Sequence, residues 1–213
     1  GASVFYLHGV YLAMLQRLDF GGFDRGGSGN MPAEFASSRD GIHWQRSFQD
    51  KMFLPVTGKG DTFDAGCLWT SSTPIHLPGE TRFYYGAYPG WNSDLVNDAS
   101  GIGLATLPRD RFVAIEPADG IAQVTLKPIQ LGNVNRLTLN ADATGGEVRV
   151  ELLTAEGYRV AGFTQDHSIA ITGDSLQHPL KWKGKTMENL TAGRYQLRVH
   201  LNNARLFALT LGQ

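Results

Sequence analysis

The sequence predicts an all-β protein. Glycine occurs 26 times, scattered between short apolar or alternating runs, which is the texture of many strands joined by turns. Long stretches with helical period are missing, and two segments of the second half alternate apolar with polar residues in the manner of half-buried strands. At 213 residues the chain suits two small domains, each with its own core.

In order, the first half predicts strands near Val4–Leu7, Val10–Leu18, Ala33–Ser37, Leu68–Ser72, Thr81–Ala87 and Ile102–Thr106. "QRLDFGGFDRGGSGNMP" reads as a mobile loop. "STPIHLPGE" and "ETRFYYGAY" should pair as a hairpin through a Pro-Gly turn, and the next strand follows the loop "PGWNSDLVNDAS". The second half changes character. Leu137 and Leu139 share a face, "ATGG" should turn the chain, and Val148, Val150 and Leu152 then alternate with a wet face of Glu147, Arg149 and Glu151. Tyr195, Leu197, Val199 and Leu201 face inward against Arg194, Gln196, Arg198 and His200, with Asn202 and Asn203 as the reversal. Such strands need a covering layer, which predicts a two-sheet sandwich. The turn formers of "AIEPADGIAQ" place the domain boundary between residues 119 and 120.

Composition excludes several classes of function. A net charge of −1 and 18% charged residues, with no Lys/Arg run, argue against a nucleic-acid or membrane partner. Cys67 stands alone, so neither an intrachain disulfide nor a CxxC site is possible. The early apolar runs "VFYL" and "VYLAML" are interrupted by His8 and Gly9 and have no basic leader, so they read as neither signal peptide nor membrane span. The compartment stays open, extracellular or periplasmic if a native precursor carries a signal. The six histidines never fall in a metal-ligand spacing, and no cofactor motif occurs; Asp142, Asp166 and Asp174 near turns are the nearest approach to a calcium set.

"SSRDGIHWQR" is the most specific short stretch. Asp40 can accept hydrogen bonds from turn amides, Gly41 can take a positive φ, and Trp44 can lay its ring on the next strand's flank. The arrangement resembles the Asp-box turn between outer strands of β-propeller blades, with one residue fewer between Asp40 and Trp44. Asp40 is therefore expected to pin a turn rather than to touch substrate.

Together, "AEFASSRDGIHWQR", "FLPVTGKGDTFDAGCLWTSSTPIHLPGETRFYYGAY" and "GIGLATLPRDRFVAIEPADG" resemble the last two blades of the five-bladed propeller in bacterial proteins similar to glycoside hydrolase family 32. The remainder, including "GRYQLRVHLNNARLFALTL", resembles the concanavalin-like (jelly-roll) β-sandwich that follows the propeller there. The resemblance implies a partial β-propeller of about two blades over residues 1–119 and a β-sandwich over 120–213. It implies carbohydrate recognition or hydrolysis, with an oligosaccharide as partner; the alternative is a non-catalytic carbohydrate-binding or structural β-sandwich module. The family's Trp/Asn-Asp-Pro nucleophile segment does not occur; "SRDG" lacks the proline of its "RDP" stabiliser, and Gly66 precedes Cys67 where the acid/base segment reads "EC". No catalytic residue is carried over, and the chain alone is not expected to cleave glycosides, which needs two positioned carboxylates. Exposed blade faces predict self-association or pairing with the missing part of the propeller.

The candidates for substrate contact are Asp64 and Asp61, just before a strand that the resemblance places innermost in its blade, with Trp69, Trp91 and Tyr85 as stacking surfaces. Tyr84 and Tyr85 should face opposite ways. The structural alternatives are a loop carboxylate capping local amides and aromatic residues that simply build core.

Overall fold

A computed structural model describes residues 1–18, 30–58, 62–89, 100–131, 134 and 136–212. The described chain is all-β, its one helical piece being the 3-10 turn Met187–Asn189, and its strands form open antiparallel sheets. Two compact units divide at Leu107 and Pro108. That division falls ahead of the boundary read from turn formers, because Ile115 pairs with Leu206 and the Asn203 amide donates to the Gly120 carbonyl at 2.7 Å, both inside the second unit. Most of the predicted glycine-rich loop (residues 19–29) and most of the loop around Trp91 (90–99) lie outside the described residues.

The first unit contains two four-stranded sheets. In one, Ala2–Leu7 (β1), Val10–Gln16 (β2), Ala33–Ser38 (β3) and Trp44–Gln45 (β4) run as a meander. In the other, Glu80–Tyr88 (β7) is central: Cys67–Thr70 (β5) and Ile75–His76 (β6) pair with it, as does Gly101–Pro108 (β8). The β6–β7 hairpin closes with a 2.8 Å bond from the Leu77 amide to the Glu80 carbonyl, as the Pro-Gly turn predicts. The sheets meet through aromatic rings, with Phe53 5.4 Å from Phe35 and 5.7 Å from Phe83. Buried Ser3 joins the contact by donating to the Thr70 carbonyl at 2.6 Å. Glu34 on β3 is fully buried, which an isolated carboxylate could not tolerate; Arg46 forks onto both its oxygens at 2.8 and 2.6 Å.

In the second unit, Ile121–Thr125 (β9), Ile129–Gln130 (β10), Arg136–Thr154 (β11), Ile171–Pro179 (β12), Arg194–Asn202 (β13) and Arg205–Gly212 (β14) hydrogen-bond into one sheet, where the alternation predicts two. Two expected turns are corrected. β11 continues without reversal through "ATGG", and β13 and β14 both run antiparallel to it on one edge, Asn202 opposite Glu147 and Arg205 opposite Asp142. Asn202 and Asn203 therefore form an irregularity facing Ala143–Gly146 rather than a hairpin. Gly146 fits there because a Cβ would come within 2.0 Å of the Asn202 carbonyl oxygen.

The inward residues follow the predicted alternation: Leu137, Leu139, Val148, Val150, Leu152, Leu197, Val199 and Leu201 are all buried. Phe163 and Trp182 complete this core, ring centroids 5.2 Å apart at 65°. β12 ends its pairing opposite Val148, so the edge of β11 beyond it needs other partners. Ser168 Oγ accepts from the Val150 amide at 3.0 Å, Trp182 Nε1 donates to the Val150 carbonyl at 2.8 Å, and the Leu152 amide donates to the Phe163 carbonyl at 2.9 Å. The outer face departs from expectation at one residue: Glu151, read as wet, is fully buried. No helix among the described residues is long and apolar enough to cross a membrane.

Candidate functional site

The β5–β7 register decides which predicted site residues can act together. Trp69 lies opposite Gly86 and Cys67 opposite Tyr88, so Trp69, Tyr84, Gly86 and Tyr88 share one face of the sheet while Tyr85 takes the other. Trp69 and Tyr84 are 43% and 42% exposed, so neither is core. Tyr88 meets the Trp69 ring edge-on at 5.0 Å and 87°, which fixes the indole's attitude. Alternate residues along a strand stand about 6.8 Å apart, and Gly86 leaves open space between Tyr84 and Tyr88 beside the indole. The row ends at an ion pair on the same face, Arg82 Nε to Glu80 Oε1 at 2.6 Å.

On the opposite face, Tyr85 donates its hydroxyl to Asp64 Oδ2 at 3.2 Å, and Thr57 donates to Asp64 Oδ1 at 3.1 Å. Tyr85 stacks on Phe63 at 6.2 Å and 13°. Both rings rest on β8 where it has no side chains: a Cβ on Gly103 would fall 2.2 Å from the Tyr85 ring, and one on Gly101 2.8 Å from Phe63. Burial pushes the Asp64 carboxyl up, and hydrogen bonds from Thr62, Thr57 and Tyr85 outweigh it, leaving the group below its usual range. The Tyr85 phenol is raised, first by burial and then by its bond to Asp64. Of the predicted residues, then, Asp64 and Tyr85 come together as a locally satisfied pair, and Trp69 stands apart from them on the other face. Asp61 and Trp91 lie outside the described residues. Tyr84 and Tyr85 do face opposite ways.

The Asp40 motif folds as its residue types predict. Oδ1 accepts from Ser38 Oγ (3.0 Å), the Ile42 amide (2.9 Å) and the His43 amide (2.8 Å), and Oδ2 lies 2.7 Å from His43 Nδ1. Gly41 takes φ +75° and accepts from Trp44 Nε1 at 3.1 Å. A cavity of ≈ 260 Å³ lies alongside, lined by Val10, Ser37, Ser38, Arg39, Asp40, His43 and Gln45, but both Asp40 oxygens are engaged within the turn. The His43 ring, then the His43 and Ile42 amides, hold this carboxyl far below the ordinary aspartate value. A folded-state pKa below the unfolded value of about 3.9 means that its stabilisation is complete above that pH and fades as pH falls through the folded value. Asp40→Asn should therefore lower the thermal midpoint at pH 7, and the gap from wild type should narrow as pH falls from 4 toward 2, as scanning calorimetry across that range would show.

Sequence reasoning missed two buried carboxylates, Glu34 and Glu151, whose burial depends on arginines contributed by other elements. Among the described residues, no group of three or more His, Cys, Asp or Glu is arranged to hold a metal ion. No protein-family model matches the chain, and no curated protein sequence matches it.

Proposed function

We propose that the chain is a carbohydrate-binding relative of family-32-like glycoside hydrolases, recognising an oligosaccharide without cleaving it alone. The observation that carries this reading is the row of exposed Tyr84 and Trp69 with half-buried Tyr88 on one sheet face, bounded by the Glu80–Arg82 pair. Sugar rings present C–H faces that pack on aromatic rings while their hydroxyls need charged or polar partners at the rim, and this face supplies both. Two antiparallel four-stranded sheets in the first unit are consistent with two neighbouring propeller blades. The second unit would then take the place of the β-sandwich module. Both assignments rest on the segment resemblance.

Calorimetric titration with arabino-, xylo- and fructo-oligosaccharides tests the proposal. Saturable binding of at least one of them, weakened about tenfold or more by Trp69→Ala, is the expected result. No reducing sugar should be released from any of them by the purified chain. Heatless titrations across the panel, or an affinity indifferent to Trp69→Ala, would refute the assignment of this face.

A further inference from the structure

The second unit carries a charged cluster that the aromatic row does not use. Glu151 is fully buried on the outer face of β11. Its Oε1 accepts from Arg198 Nη1 at 3.2 Å and lies 3.2 Å from His200 Nε2. Arg159 Nε stands 3.2 Å from Oε2, yet that oxygen has no hydrogen-bond donor. Arg198 is steadied further by donating Nε to Thr125 Oγ1 at 3.0 Å on β9. The next carboxylate along this face, Glu147, is already held at both oxygens by Arg149.

Two guanidinium groups against one carboxylate leave an excess positive charge, which a protonated His200 would increase. A buried ion pair is weak support for stability, since desolvation can cancel its attraction. What Glu151 does achieve is geometric, because it holds two mutually repelling guanidinium groups at the two oxygens of a single carboxylate. Arg159 stays 66% exposed and Arg198 26% exposed. Each guanidinium has five N–H donors and no acceptor; Glu151 takes a hydrogen bond from one nitrogen of Arg198 and only an ion-pair contact from Arg159 Nε. An anion arriving from solvent would meet cationic donors already gathered, with Arg198 fixed by its bonds to Glu151 and Thr125, and so lose less to bringing them together.

We propose that Arg159, Arg198 and His200, gathered around Glu151, bind an oxyanion, either a carboxylate or a sulfate. This goes beyond the proposed neutral-sugar contact, because it concerns another unit, other residues and a charged ligand. The anion can be free in solution or borne by an acidic sugar such as a uronate.

The test is an NMR titration of the whole isotope-labelled chain at fixed ionic strength. One arm adds sodium sulfate against a sodium chloride control; the other adds digalacturonate against neutral galactobiose. Saturable shifts of the Arg159 and Arg198 Nε–H signals and of the His200 ring are expected, weakened at least about fivefold by Arg159→Gln. That variant alters an exposed side chain with no hydrogen bond to Glu151, so the fold should persist. Trp69→Ala should leave these shifts unchanged, which separates this site from the aromatic face. Tighter binding of digalacturonate than of sulfate would support a sugar-borne anion, and equal or exclusive sulfate binding a free one. Linear, unsaturable shifts in both arms, or unchanged affinity in Arg159→Gln, would overturn the proposal.

Discussion

Trp182→Ala is expected to lower the stability of the second unit by about 3–5 kcal/mol. The indole is 4% exposed and packs edge-on against Phe163, so truncation leaves a cavity in the core. It also removes the donor to the Val150 carbonyl, on an edge of β11 that β12 does not reach. Phenylalanine at this position would restore most of the volume but not the hydrogen bond, and should recover only part of the loss. Urea unfolding followed by far-ultraviolet circular dichroism measures both. A cost below about 1 kcal/mol for the alanine variant would show that Trp182 is not part of the core.

Glu151→Ala should be nearly as damaging, at about 3 kcal/mol, although it removes only a carboxylate from the outer face. The figure sits at the low end for a broken buried pair because the arginines left behind are partly exposed and can regain water. What remains is repulsion between Arg159 and Arg198, with an unfilled space where the carboxylate stood. Salt screens repulsion but does not fill space, so the penalty should shrink, without vanishing, between 0.1 and 1 M sodium chloride. An effect indifferent to salt would mean that packing alone accounts for it.

The strands were legible wherever one face is apolar. The alternations at Val148–Leu152 and Tyr195–Leu201 place their inward residues as the structure does. The turns were less legible, because local composition does not reveal what lies opposite. "ATGG" and Asn202–Asn203 both carry turn formers, yet they face one another across a ladder, and the missing Gly146 side chain admits the Asn202 carbonyl. The same limit explains Glu151: a charged residue between Val150 and Leu152 reads as solvent-facing until Arg159, Arg198 and His200 close over it. At the candidate site, the residue types and the opposite faces of Tyr84 and Tyr85 were legible, and the face that Trp69 joins was not. Only the register of Cys67 against Tyr88 places Trp69 with Tyr84 and Tyr88 and sends Tyr85 to Asp64. At the Asp40 turn the amide bonds to Asp40 and the positive φ of Gly41 were readable because they are local, while the His43 and Trp44 Nε1 contacts were not.

The most direct test of the proposed aromatic contact face is a chemical-shift map recorded while an arabino-, xylo- or fructo-oligosaccharide is titrated into the labelled chain. Saturating perturbations centred on the Trp69 indole N–H and on the amides of Tyr84, Gly86 and Tyr88 are predicted, with the Asp64–Tyr85 side silent. Perturbations confined to Asp64 and Tyr85, or none that saturates with any of the three sugars, would contradict it.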